Sequence, residues 1–169
     1  MTQTPWFERS FTPILDNGLL PAILERLEGT PVRLYRKVSG ITTDLTQSRE
    51  GKWSAKKEIG HLLDLEPLWY DRMLQVMDNQ QNLKVADLSN TQTHNADHDQ
   101  RDVADLIGAF EIARAKTVAL LRATTAQDLD KFAIHPRLGM QMRLIDLAFF
   151  AAEHDDHHLA HLHRVITGV

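Results

Sequence analysis

The 169-residue chain contains no cysteine, which excludes disulfides and thiolate metal sites and fits a reducing compartment. Any metal must therefore be held by His, Asp or Glu. Glycine is sparse, at 8 residues, and aromatics make up 7% of the chain. Together with long apolar patterns of period 3.6, this favours an all-helical class over a sheet-rich one. Nowhere do about 18 apolar residues follow one another, and the N-terminus, MTQTPWFERSFTPIL, has no basic stretch leading into an apolar one. A soluble, cytoplasmic protein without a membrane partner is expected. Lys and Arg total 19 against 23 Asp and Glu, a formal net charge of -4, and are scattered instead of forming a basic stripe. Nucleic acid is therefore not expected as a partner.

What is present is 43% hydrophobic content, enough for a sizeable core in one domain over residues 1–169, and 9 histidines. The stretch AAEHDDHHLAHLHRVI, residues 151–166, is the most informative. Leu147, Ala151, His154, His158, His161 and Val165 step by four and three, the seam of a packed helix. Imidazoles thus occupy positions normally filled by Leu or Ile. An unpaired imidazole in such a seam is costly without a hydrogen-bond partner or a metal.

Residues 1–16, with Trp6, Phe7, Phe11 and two prolines, read as an irregular arm expected only to pack an apolar edge onto the body. A first helix begins near Leu19, and Pro31 either kinks it or, with Thr30 as cap, restarts it. Residues 43–53 are a connection, after which Ser54 caps a second helix with the stripe Ile59, Leu62, Leu65, Trp69, Met73 and Val76. His61 lies beside that stripe, and Pro67 predicts a kink or break just after it, either a simple irregularity or an opening over a site. Residues 79–100 form a long polar connection, a lid or an idle loop, in which His94 and His98 read as solvated. A third helix spans about Arg101 to Ala123, with no chemical constellation on its polar face. Residues 124–140 form the last connection, with His135 as a turn residue, and a fourth helix runs from about Gln141 to Ile166. Four helices with two long connections pack most naturally as a four-helix bundle.

His154 and His158, four apart, stack on one helix face and supply two metal ligands. A third imidazole, His61, from a facing helix would complete a three-histidine site with an open position, the pattern of catalytic metal. Glu58 and Asp64, about one turn either side of His61, are candidate orienting groups. Imidazole suits a first-row divalent ion such as zinc or nickel. His161 is assigned to the pocket wall or to a supporting hydrogen bond, His157 to a helix contact or hydrogen bond, and His163 to solvent. Two other readings compete. HDDHH resembles the HExxH of zincin proteases with Asp for Glu, and EIGH with DDHH mimics the paired Glu-x-x-His of di-iron bundles, which would draw further carboxylates from Glu25 or Glu28 and Glu111.

WSAKKEIGHLLDLEPLWYDRM and AEHDDHHLAHL resemble the two signature stretches of the DinB-like superfamily, including its YfiT-type metal-dependent hydrolases. The correspondence lies in Trp53 and Ser54, in His61 and Leu62, and in His154, His157 and His158, with His161 where the family often has Gln. The resemblance implies an up-down-down-up four-helix bundle, frequently a homodimer, with a divalent metal on His61, His154 and His158. It also implies a small-molecule substrate. The chemistry would be hydrolysis or S-transfer, with metal-activated water or a low-molecular-weight thiol such as glutathione, mycothiol or bacillithiol as nucleophile. No general base is legible; Asp64, Glu66 and Asp155 are merely near the ligands in sequence. The competing expectation is a noncatalytic helical binding or stress-associated module with structural histidines.

Overall fold

A computed structural model describes residues 3–42, 44–48 and 52–168. Parts of the predicted N-terminal arm (1–2) and of the 43–53 connection (43, 49–51) lie outside the described residues, as does residue 169. Four long helices, α1 (Leu20–Val38), α2 (Ala55–Met77), α4 (Val103–Arg122) and α6 (Leu144–Thr167), form the bundle. Helices α1 and α2 each pack against α4 and α6, so α1 and α2 lie on one diagonal. Short helices α3 (Thr91–Asn95) and α5 (Ala126–Leu129) sit in the connections. Among the described residues no helix is long and apolar enough to cross a membrane.

The helix ends follow local chemistry. Ser54 caps α2 by accepting from the Lys57 N–H, and Asp102 caps α4 by accepting from Ala104. Gly168, at φ 77°, closes α6 in the left-handed conformation that disfavours other residues. Both internal prolines stay within continuous helices, so α2 does not break at Pro67 and α1 does not restart at Thr30. A helix-interior proline costs roughly 3 kcal/mol. Each buried large apolar side chain contributes about 1.5–3 kcal/mol, and buried residues flank both prolines: Leu27 and Leu34 in α1, Leu62 and Trp69 in α2. Packing outweighs the local penalty. The carbonyl of Leu27, which Pro31 cannot reach with an N–H, accepts instead from Arg114 Nη1 at 3.2 Å.

The core is divided by a polar layer. One apolar cluster contains Leu27, Trp69, Val118 and Ala152, the other Leu34, Leu62, Phe110 and Leu159. Between them on the four helices lie Thr30, Glu66, Arg114, Thr117 and Asp155, all buried. Arg114 donates to Glu66 Oε1 from Nε (3.0 Å) and Nη2 (2.6 Å) and to both oxygens of Asp155. Thr117 and Thr30 donate to the remaining lone pairs at 3.0 and 2.7 Å. Arg114 is held charged by its two carboxylates against the pull of burial. The third long helix thus carries a polar constellation on its buried seam and not on the polar face, a possibility the sequence reading did not consider. Ile107, Phe110, Arg114, Thr117 and Leu121 keep the same four-three step as the histidine seam, and Arg114 and Thr117 are the interruptions.

The connection before α6 also departs from the sequence reading. Strands β1 (Phe132–Ile134) and β2 (Gln141–Arg143) pair antiparallel, with Ala133 opposite Met142, so α6 starts at Leu144. Three-residue strands are too short to display an alternating pattern. This hairpin anchors the polar 79–100 segment: Ile134 exchanges backbone hydrogen bonds with Gln81 (2.9 Å) and Leu83 (3.0 Å). Further along, His98 is buried, not solvated, and its Nε2 lies 2.9 Å from Asp64 Oδ2. It fits because residue 60 is glycine: a Cβ there would come within 2.3 Å of the His98 ring. Gly60→Ala should therefore destabilise the protein by about 1–3 kcal/mol through overpacking, although alanine is worth up to ~1 kcal/mol more than glycine in a free helix. Denaturant unfolding reads the sign directly, and stabilisation would contradict the docked position of His98.

Candidate metal centre

His61 of α2 and His154 and His158 of α6 meet at the inner face of the bundle, with one nitrogen from each within 4.8 Å of the others. Ring centroids are 4.4 Å apart for His154 and His158, 4.7 Å for His61 and His158, and 5.4 Å for His61 and His154. The four-residue spacing on α6 and the facing position on α2 produce this convergence directly. Trp53, just before the α2 cap, covers the group, 4.7 Å from the His61 ring and stacked at 6.4 Å on His158.

Hydrogen bonds fix how two of the rings present themselves. His158 Nδ1 donates to Glu58 Oε2 (2.7 Å), and His161 Nδ1 to Glu58 Oε1 (2.5 Å). Burial alone would raise the Glu58 carboxyl, but these two hydrogen bonds hold it at about 2. On the other side, Thr93 Oγ1 donates to Asp64 Oδ2 at 2.8 Å, leaving its lone pair to accept from His61 Nδ1 at 3.1 Å. Both histidines thus commit their protons outward and turn a bare Nε2 inward. A carboxylate or hydroxyl behind each imidazole is the usual support of a metal-ligating histidine.

His154 is the strained member. Its Nε2 lies 3.1 Å from His158 Nε2, and its buried Nδ1 has no hydrogen-bond partner. With the His154 proton on Nδ1, two Nε2 lone pairs face each other at 3.1 Å, an arrangement that a cation between them would relieve. Burial, aided by the neighbouring His158, pushes His61 down to about 3, and burial drives His154 well below the usual imidazole range. Both rings are neutral near pH 7, the state that ligation requires. An all-nitrogen set with the His61 and His158 lone pairs turned inward fits a divalent first-row ion.

Neither competing geometry forms. Asp155, which a zincin reading would use as base, points into the polar layer toward Arg114. Glu25 and Glu111, needed for a di-iron cage, are exposed, and Glu28 pairs with Arg122 at 2.7 Å. Of the remaining histidines, His163 is exposed, His161 shares Glu58 with His158, and His157 lies 2.9 Å from the Gln3 side chain, as the sequence indicated. His135 opens the hairpin turn, as expected, with its carbonyl accepting from the Gly139 N–H at 2.8 Å. It is buried, and its Nε2 lies 3.2 Å from Arg72 Nη1.

The imidazoles open onto a cavity of about 520 Å³. Its other walls include the arm residues Pro5, Trp6 and Phe7, Val85 to Leu88 and Asn90, and His135 to Arg137. The arm does more than cover an edge: Trp6 packs edge-on against His154 at 4.9 Å and against Phe150 at 5.0 Å. The polar 79–100 connection lines the cavity. The loop's place at the cavity is one of its two expected roles, whereas the arm's was not readable, because the arm lacks the periodicity that marks a packed face.

A family model described as the DinB superfamily matches residues 21–162. Among solved structures, YfiT from Bacillus subtilis, described as a probable metal-dependent hydrolase with an unusual four-helix bundle topology, superposes with a TM-score of 0.81. The likeness covers 94% of this chain and 91% of that one at 20% sequence identity, and shows the shared up-down-down-up bundle. No curated protein matches the sequence.

Proposed function

The chain belongs to the DinB superfamily, and on that premise we propose that His61, His154 and His158 hold a divalent ion, zinc or nickel, in an enzyme acting on a small molecule. The reaction is hydrolysis or transfer of a low-molecular-weight thiol. The observation that carries the reading is the pair of inward Nε2 lone pairs, fixed by Glu58 and by Thr93, with His154 Nε2 3.1 Å from that of His158. A bound divalent ion with an open position lowers the pKa of water or a thiol and so supplies a nucleophile near neutral pH.

The chain's own groups prepare that site. Glu58 keeps the protons of His158 and His161 off the centre. Trp53 and Trp6 exclude bulk water from two sides, which strengthens the local electrostatics. His161, partly exposed, occupies the Glu58 oxygen opposite to His158 and so helps to fix the carboxylate. Glu66 and Asp155 are committed to Arg114 and are not available as bases.

The proposal is tested by elemental analysis of the purified protein, followed by turnover of a panel of esters, amides and alkyl halides with and without thiol. Chelation is expected to abolish turnover while the helical circular dichroism persists. Absence of metal overturns the metal assignment. Turnover that survives full chelation overturns the catalytic one, and chelation that unfolds the chain assigns the ion a structural role.

A further inference from the structure

The cavity has a second polar pole, distinct from the imidazoles. Arg72 of α2 and Arg137 of the hairpin turn both line it. Arg72 is 2% exposed; its Nε and Nη2 donate to the Lys84 carbonyl at 3.0 and 2.8 Å, and Nη1 meets His135. Arg137 lies over the Phe7 ring at 5.3 Å, and its Nη2 is buried with no hydrogen-bond partner. Among the described residues neither guanidinium has a carboxylate partner. The one acid lining the cavity, Asp87, is exposed and accepts from Ser89 and Thr91.

Two neighbouring cations without an anion are an expensive arrangement in a protein interior. Burial, with Arg137 adding repulsion, pushes Arg72 down to about 10. The space between the poles is apolar. Trp69 spans it, its ring 5.5 Å from that of His154 and 5.7 Å from the Arg72 guanidinium, and Phe150 lies 5.3 Å from His135. A pocket of this size, largely apolar with a few convergent polar groups, suits a small organic ligand. Guanidinium groups select planar or tetrahedral oxyanions.

We infer that Arg72 and Arg137 bind the carboxylate or phosphate of a small organic anion whose apolar or aromatic body lies along Trp69 and Phe150, presenting its other end to the three histidines. The last clause rests on the proposed function; the anion site does not, since it needs no metal.

The test measures binding of phenylacetate, phenyl phosphate and neutral phenylacetamide by calorimetry, to the protein as purified and after chelation. At least one anion is expected to bind about tenfold or more tighter than the amide in both preparations, the usual worth of a charged hydrogen bond. Which anion binds identifies the group. Arg137→Gln, at a half-buried turn, and Arg72→Gln should each remove most of the anion's advantage over the amide. Equal binding of anions and amide, or no anion binding at millimolar concentration, overturns the inference. So does anion binding that is lost on chelation but indifferent to both variants, because that would place the anion on the ion. Arginine-dependent binding by a protein that holds no metal would uphold the anion site and sink the metalloenzyme reading instead.

Discussion

Arg114→Met is expected to lower folding stability by about 3–5 kcal/mol near neutral pH, the usual consequence of removing one partner from a buried ionic group. The side chains of Glu66 and Asp155 are 2% and 0% exposed, so the variant leaves two like charges in the core with no cation between them. The Leu27 carbonyl, already without its helical partner because of Pro31, loses its donor as well. Two accompanying measurements separate charge from packing. In mild acid the deficit should shrink, because a carboxyl left in the core can neutralise itself by taking a proton. Burial already raises Glu66 against the pull of Arg114. A triple variant, Arg114→Met with Glu66→Leu and Asp155→Leu, should recover most of the loss, since a well-packed apolar layer replaces a buried ion network at little or no cost. Denaturant unfolding of the three proteins decides the matter; a single variant within ~1 kcal/mol of wild type would show that water or relaxation compensates the layer.

His158→Ala is expected to reduce metal affinity by at least about a hundredfold, and Glu58→Gln by roughly 10–100-fold although it removes no ligand. The glutamine amide cannot accept from both imidazoles as the carboxylate does, so either His158 or His161 must reorient, and the negative charge that supports the ligand disappears. His163→Ala, on the exposed face, serves as the control and should bind as wild type does. Competition against a chromophoric chelator gives the affinities. Wild-type affinity in Glu58→Gln would mean that the carboxylate does not orient a ligand, and wild-type affinity in His158→Ala would remove that histidine from the coordination set.

The histidine cluster and the polar layer differ in how much of them the sequence discloses. The histidines were visible because imidazoles broke an apolar seam at four-three spacing, and His61 because a facing helix carried one beside its own stripe. Arg114 and Thr117 break the α4 seam by the same rule, yet their partners Glu66 and Asp155 lie on other helices, and the rotation that joins them is a tertiary property. Pro31 and Pro67 looked like breakers because local propensity favours a break; burial on both sides and a remote donor to the Leu27 carbonyl reversed that preference. His98 looked solvated amid Asn, Asp and Gln, and its buried position depends on the missing side chain at Gly60. In each case what stayed hidden was a contact between segments far apart in the chain.

The two sides of the cavity are made from different kinds of chain. The imidazoles stand on α2 and α6, whose positions are locked by the core, whereas residues 5–7, 85–90 and 135–137 belong to connections outside the four long helices. Connections tolerate insertion, deletion and substitution far better than packed helices do. The cavity's outer wall can thus change by rewriting three surface segments, while the histidine triad and the helical wall of Trp69, Arg72 and Phe150 are inherited unchanged.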